Sequence, residues 1–464
     1  LPNRTDVAYR DSDKAKWVWY ETISSFPSLD IVFILDGVKS HEDTKPLDYI
    51  TYMLNYQGDG SLRQYLKDKK MITSFDISLI NSFKSFCVYA ISITPTDYGK
   101  HNLYPLIDTV YAYINELKNT TINAKIYNDI KVISDTEFKF KEKSKDIKQL
   151  VLSLSSHMFE YEDLYSELLY NDYLHKNFDS DVIKRYLSML SPTNSIFLIG
   201  GGYYPPDDYL LSTIFENGIG GYEPYYRTKY MYAEINKDVI DILKNESTFD
   251  NKIVPFNFTI RKENTFITRK SSFIQCVDNN RYFSSKCKEE YDNYSPVAFL
   301  SGSPYMKIWY RVDRTYSVPK TISHIHLMSS LVRGTVAEVF ALNIFYNYLQ
   351  LRFDNSFGDL YDAKGEISLS VDNEGFDIVV NSYSDLTKKI VDSIVDILLN
   401  DMLYMNEEKY DELYDYVVEI IKMRKNNGPA IKSREMFDKV IKANVSLLYE
   451  LESLIGQNKY NLSY

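Results

Sequence analysis

The sequence predicts an α+β fold made of two tandem modules, each a mainly antiparallel sheet with helices packed on one face. Three observations predict it. Short apolar runs with period-two alternation are separated by blocks of several helices, which excludes a regular βα alternation and a solenoid period. The order strand, helix, strand that opens near residue 17 returns near residue 306, as a repeated module would. The 464 residues also exceed the size at which a single hydrophobic core stops growing.

Taken in order, residues 17–38 read as an opening strand pair, the second strand being the buried run DIVFILDG with a turn at Asp36-Gly37. Thr44 can cap a helix with Pro46 in its first turn, where a missing N–H costs nothing; Leu47, Ile50 and Leu54 follow at helical spacing. The helix ends at Gly58 and Gly60, which admit the positive φ of a sharp reversal. Ser61 with Gln64 then reads as a capping box opening a second helix through Leu62 and Leu66. Beyond Met71 the period becomes two. Cys87, Tyr89, Ile91 and Ile93 share one face and Phe86, Val88 and Ala90 the other, as in a strand covered on both sides.

Leu103, Leu106, Ile107, Val110, Ile114 and Leu117 mark a long amphipathic helix that Asn119-Thr120-Thr121 breaks. Helices are expected at 123–143, 150–174 and 178–190, and an apolar strand at 194–200. From 207 to 304 the pattern weakens into a domain tail and linker with one short helix at 237–244. The second cycle predicts a strand from Met306, a corner at Pro319, a strand through His324 and His326, a helix at 333–353 and strands at 367–371 and 376–381. Helices at 384–400, 406–425 and 433–455 follow. No closing strand comes after them, so the second module reads as truncated at Tyr464.

Hydrophobic residues make up 44% of the chain, enough for full cores, and the net charge of -11 argues against a nucleic-acid groove or an anionic membrane surface as partner. The 42 tyrosines read as coding bias rather than chemistry. No apolar run is long enough to span a bilayer. Leu1-Pro2-Asn3-Arg4 is neither an initiator methionine nor a signal peptide, which predicts a start that was cut or introduced. The compartment is left open.

The stretch DYITYMLNYQGDGSLRQYLKDK resembles the helix, glycine turn and helix in the second domain of the insulinase (pitrilysin-type) zinc metallopeptidases. Four more stretches resemble that family in the same order. They are EFKFKEK from Glu137, NDYLHKNFDSDVIKRYLSMLSPTNSIFLIG from Asn171, MKIWYRVDRTYSVPKTISHIHL from Met306 and GEISLSVDNEGFDIVVNSYSD from Gly365. The resemblance covers almost the whole chain. It implies two insulinase-type homology modules: residues 1–235 as a non-catalytic, exosite-bearing second domain, 236–304 as its tail and a linker, and 305–464 as an incomplete third domain. It also implies a role, the non-catalytic middle portion of a zinc metalloendopeptidase that degrades peptides, forming chamber wall and peptide exosite. Zinc would then sit in the parent protein's first domain, and the partners would be peptides and the remaining domains or a catalytic partner subunit. The resemblance also allows a catalytically dead family member that works as a peptide-binding or assembly subunit.

The family's inverted motif, His-x-x-Glu-His, sets two imidazoles on one helix face with the glutamate as base for a zinc-bound water. None of the six histidines starts it; His157 is followed by Met158, Phe159, Glu160 and Tyr161, so the spacing fails at its last position. No catalytic residue and no metal ligand is assigned here, and the chain alone should not hydrolyse peptides. His324 and His326 point to one side of a strand but are too few for a zinc site. Gly200-Gly201-Gly202 lacks the Lys-Ser/Thr of a phosphate loop. Cys87 reads as a core residue, whereas Cys276 and Cys287 flank VDNNRYFSSK and could bridge only in an oxidising compartment.

What the resemblance leaves is binding. Tyr52, Asn55, Tyr56 and Gly60 from the helix and turn, with Ile80, Asn81 and Ser82 from the strand, match the family's exosite, where a substrate's N-terminal end is held by strand addition. Tyrosines stand where the animal enzyme has histidines, and Asn55 replaces a glycine. Tyr52 and Tyr56, one helical turn apart, either wall that pocket or pack beneath the turn.

Overall fold

Period-two apolar runs become strands wherever a neighbour can bury one of their faces, and the first module does this with seven of them. The computed structural model describes residues 9–22, 28–58, 60–141, 146–160, 168–201, 213–244, 258–268, 277–278, 281–282, 298–302, 305–311, 318–333, 335–371, 374–400 and 407–424. Strands β1 (Lys16–Glu21), β2 (Ser28–Asp36), β3 (Ile72–Ser82), β4 (Phe86–Pro95), β5 (Ser195–Gly201), β6 (Ile219–Tyr222) and β7 (Lys229–Glu234) form one sheet. Their order is β3-β4-β2-β5-β1-β7-β6. Every pairing is antiparallel except β1 with β5.

On one face of this sheet Leu29, Ile31, Phe33 and Leu35 of β2 and Cys87, Tyr89, Ile91 and Ile93 of β4 enter the main core. Helices α1 (Pro46–Leu54), α2 (Leu62–Asp68), α4 (Leu103–Asn119), α5 (Ala124–Lys139) and α7 (Ser180–Met189) contribute the other half of it. A short α3 (Asp97–His101) precedes α4, and α6 (Ile147–Glu160) follows α5. The opposite face carries a smaller cluster, Val32, Ile34, Val88 and Ala90, against which Phe86, Ile196 and Leu198 pack. The two faces expected of the strand at 86–93 are therefore both buried in β4, with β3 as the other arm of a hairpin.

The second module contains a three-stranded antiparallel sheet, β12 (Lys320–Met328), β14 (Gly375–Tyr383) and β13 (Glu366–Val371) in that order. Helix α9 (Val336–Asp362) and helix α10 (Thr387–Leu399) bury Phe353, Phe357, Ile390 and Ile394 against Ile367, Leu369, Ile378 and Val380. Helix α11 (Glu407–Arg424) packs on α9 through Leu413, Tyr414 and Val417 against Phe340 and Ile344. A capping box sets the start of α9, with Thr335 and Glu338 satisfying each other's backbone N–H. Between the modules lie α8 (Lys237–Leu243) and the short strands β8 (Val277–Asp278), β9 (Arg281–Tyr282), β10 (Ala298–Gly302) and β11 (Lys307–Tyr310).

Several expectations change. β1 and β2 are not a pair, because β5 returns between them. Thr44 does not cap α1: Lys45 holds the N-cap position with φ 47, and the Thr44 carbonyl accepts from the Tyr127 hydroxyl at 3.0 Å. The capping box at Ser61 is offset. Gln64 N donates to Ser61 Oγ, but the Gln64 side chain reaches Gly60 N at 2.9 Å rather than Ser61 N. Residues 168–173 form turns where helix was expected, while 219–222 and 229–234, read as a domain tail, add two strands to the first sheet. Short runs rich in glycine and tyrosine give little periodicity, so only the partner strand β1 makes them strands. Gly202, Cys276, Cys287 and residues 433–455 lie outside the described residues.

Lys118, at the end of α4, donates to the Leu190 carbonyl at 2.7 Å, tying α4 to the end of α7 just before β5. Burial depresses its ammonium to about 8 from 10.5. The unfolded chain keeps this proton to higher pH than the folded one, so the cost is fully present below pH 8 and is relieved as pH rises towards 10.5. Urea titrations of wild type and Lys118→Met should show the wild type gaining stability relative to the variant across that window; a constant difference would contradict the burial of the charge.

Candidate functional site

Four of the seven exosite candidates gather where the two modules meet. α1 ends at Asn55, whose N–H closes on the Thr51 carbonyl, and the chain turns through Gly58 and Gly60 into α2. Gly60 has φ +77, and its carbonyl accepts from Thr259 N at 3.0 Å, so the turn needs glycine there. Tyr56 is half-buried and folds its hydroxyl against Gly58, where a Cβ would lie 2.2 Å from it. Tyr52 is buried in α1, and burial pushes its phenol up to about 12 despite the nearby Arg261 cation.

Arg261 is the centre of this cluster. Its side chain is fully buried, with its guanidinium 3.6 Å from the Tyr52 ring centroid and 5.6 Å from that of Tyr56. Nη1 donates to the Tyr52 carbonyl at 2.9 Å and meets Asp362 Oδ2 at 2.5 Å; Nη2 meets Asp359 Oδ1 at 2.5 Å. Burial alone would depress the guanidinium. Asp362, Tyr52 and Asp359 outweigh it and hold the group firmly charged. Asn55 Nδ2 reaches Asp362 Oδ1 at 3.4 Å. Tyr52 and Tyr56 thus line a cation from this chain's own residues 258–268.

That segment is a strap through the core. Phe258 meets Tyr65 and Tyr113 edge-on, Phe266 meets Phe357, and Ile267 is buried. Buried Asn264 takes an Asp129 carboxylate on its N–H and donates from its side chain to the Asp359 carbonyl. Further pairs cross between the modules: Lys67 with Asp354, Lys70 with Asp415 and Lys364 with Glu137. Sequence reasoning missed Arg261, Asn264, Asp359 and Asp362. A signal existed in the apolar Phe258, Ile260, Phe266 and Ile267 of a stretch otherwise taken for linker.

Ile80, Asn81 and Ser82 stand apart, at the end of β3, which among the described residues is the outermost strand of its sheet. The register steps from Leu79↔Tyr89 to Asn81↔Val88, leaving Ile80 as a bulge residue, 52% exposed. Leu79 and Phe83 are exposed beside it. Because Phe83 N donates to Phe86 O, the alternation of an antiparallel ladder turns the N–H of Ser82 outward, to the open edge.

The remaining candidates give no catalytic centre. His324 Nε2 and His326 Nδ1 both contact Asp377 Oδ1, at 2.6 and 2.8 Å. Desolvation alone would raise the Asp377 carboxyl; the hydrogen bonds from His326 and His324, with the charge of the two rings, together outweigh it and hold the group below the usual carboxylate range. His157 pairs with Asp172 at 3.1 Å. Among the described residues no group of three or more His, Cys, Asp or Glu is arranged to hold a metal ion.

A family model described as the middle or third domain of peptidase M16 matches residues 138–450, and one described as the peptidase M16 inactive domain matches residues 10–132. The chain belongs to the peptidase M16 family. It is an insulinase-like member represented by its middle domains. Over 381 residues it is 22% identical to a nardilysin-like protein of Arabidopsis thaliana, covering 81% of this chain and 34% of that protein. Over 414 residues it is 23% identical to insulin-degrading enzyme of Drosophila melanogaster, covering 88% of this chain and 38% of that one. The crystal structure of pitrilysin matches its fold with a TM-score of 0.66 at 15% identity, covering 99% of this chain and 45% of that chain. The chain thus spans well under half the length of these relatives. The M16 matches divide between 132 and 138, within α5, whereas the first sheet continues to Glu234.

Replacing Arg261 by Met leaves Asp359 and Asp362 facing each other without their cation. Urea unfolding should show a loss of about 3–5 kcal/mol. Arg261→Lys should recover little of it, since one ammonium cannot serve two carboxylates and a carbonyl at once. A loss below about 1 kcal/mol would show that the cluster is not holding the modules together.

Proposed function

We propose that this chain is the non-catalytic middle of an M16 zinc metalloendopeptidase, forming part of a peptide-enclosing wall and carrying an exosite for extended peptides. The observation that carries this is the open edge of β3. A peptide entering as an eighth strand would find the outward N–H of Ser82, the neighbouring Asn81 and the exposed side chains of Leu79, Ile80 and Phe83. Tyr52, Asn55, Tyr56 and Gly60 would serve that site from behind, by fixing the glycine turn and α1, which packs against β3. Membership of the family supports the peptide as ligand. Zinc and the bond-breaking step belong to a first domain carrying His-x-x-Glu-His, and the remaining domains, or a catalytic subunit, are the partners.

The second reading is a peptide-binding or assembly subunit of a parent without catalysis. An intact-mass measurement and peptide map of the native polypeptide separates the two, through the presence or absence of an upstream His-x-x-Glu-His. The first reading, and the peptide-binding form of the second, require peptide binding. In fluorescence polarisation with a labelled extended peptide, Ser82→Pro should weaken binding about fivefold to tenfold, the worth of one lost backbone hydrogen bond. Its melting temperature should stay within about 2 °C, because a proline at an outward edge position breaks no ladder bond. No measurable peptide affinity, or affinity unchanged by Ser82→Pro, would sink the exosite.

A further inference from the structure

The register of β3 on β4 fixes which side chains a peptide on the outer side of β3 would meet, an inference that rests on the exosite reading above. β4 divides its backbone groups between two neighbours. Gly37 N donates to Ser85 O, so the odd-numbered residues that follow bond to β2; Phe83 N donates to Phe86 O, so the even-numbered ones bond to β3. Asp76 lies opposite Ser92 and Ser78 opposite Ala90, and both therefore spend their N–H and C=O on β4. Ile77 between them and Leu79 after them turn theirs outward, on the regular stretch of β3 that precedes the bulge at Ile80.

The side chains alternate in the same way. Ile77, opposite Ile91, packs on the main core, and Leu79, opposite Tyr89, is 44% exposed on that face. Asp76 and Ser78 lie on the other face and are both exposed. Among the described residues no hydrogen bond or ion pair engages the Asp76 carboxylate. Its neighbours there on β3 and β4 are Ser74, Ser78, Ser92 and Thr94, and Ser74 Oγ donates to Thr94 Oγ1 at 2.7 Å. Hydroxyls supply no counter-charge. An antiparallel strand added to β3 bonds to Ile77 and Leu79, so the residue it sets opposite Asp76 forms a non-hydrogen-bonded pair. In such pairs the Cα atoms are about 4.5 Å apart and the side chains come closest.

We infer that Asp76 is a specificity-determining residue, selecting extended peptides that carry a lysine or arginine opposite it. Read from N- to C-terminus, the preferred peptide runs apolar, any residue, apolar, basic. Its two apolar side chains lie beside Leu79 and Ile77 on the core face, and the basic one crosses to Asp76 on the other. A lysine or arginine can lay its aliphatic stem along the sheet while its charge meets the carboxylate. Opposite charges in such a cross-strand pair favour the basic peptide by about twofold to fivefold over a neutral one.

Fluorescence polarisation on the whole chain tests this with three labelled peptides: Gly-Ser-Val-Thr-Val-Lys-Ser-Gly, and the same sequence with Gln or Glu in place of Lys. Wild type should bind the Lys peptide about twofold to fivefold more tightly than the Gln peptide, and the Glu peptide most weakly. Asp76→Asn should bring the Lys and Gln peptides to equal affinity, and Asp76→Lys should put the Glu peptide first. Asp30→Asn removes a like charge from the same row of the sheet, on the far side of Ser92, and should keep most of the Lys preference. Ser82→Pro should weaken all three peptides alike. A Lys preference that survives Asp76→Asn, or that Asp30→Asn removes as fully, overturns the inference and assigns the preference to the net charge of -11. Peptides that bind and weaken with Ser82→Pro but show no preference by charge overturn it while leaving the exosite standing. If none of the three binds, the exosite and its selectivity fall together.

Discussion

A guanidinium sealed from water between two modules is the constraint on which this structure depends. Arg261 cannot be desolvated without partners, and its three partners come from two elements: the Tyr52 carbonyl at the end of α1, and Asp359 and Asp362 on the last turns of α9. Meeting all of them at once fixes the strap 258–268 in the core, the end of α1 before its glycine turn, and the position of α9. Burying such a group gives little net stability compared with an apolar replacement of similar volume. What it gives is uniqueness of arrangement, because a shifted interface would leave three charges unmatched in an apolar surround.

The apolar packing around the cation has the same consequence. The main core is continuous from the first sheet through Phe266 and Ile267 to Phe353, Phe357 and the second sheet, so the modules share an interior rather than touching at a wet interface. A rigid pair of modules presents its sheet edges in fixed positions. Among the described residues β3 and β12 are edge strands of different kinds. β3 ends in a bulge with exposed apolar side chains, whereas β12 is a regular nine-residue strand whose counterpart in the first module, β2, pairs with β5.

Much of this was legible in the sequence. Strong amphipathic runs gave α4 and α7 to within about two residues and the start of α1, though α1 stops at Leu54, short of the glycines, and alternation gave both buried faces of β4, because a side-chain period is a local property. The strands at 219–222 and 229–234 were not legible, being too short and glycine-rich to show a period. Of the candidate site, the sequence located the glycine turn and the strand end, and left two readings for the tyrosines. It missed Arg261, whose neighbours Lys262 and Glu263 make a buried cation look like part of a solvated run.

By itself the sequence determined the fold class, the repeated module and the absence of a His-x-x-Glu-His motif within these residues, since each rests on the kinds and spacings of nearby residues. Only the tertiary structure decided that β5 separates β1 from β2, that Tyr52 and Tyr56 face an arginine some two hundred positions away, and which strands lie at a sheet edge among the described residues. Those are matters of which distant groups must meet so that charges are paired and backbone bonds closed, and no local period records them.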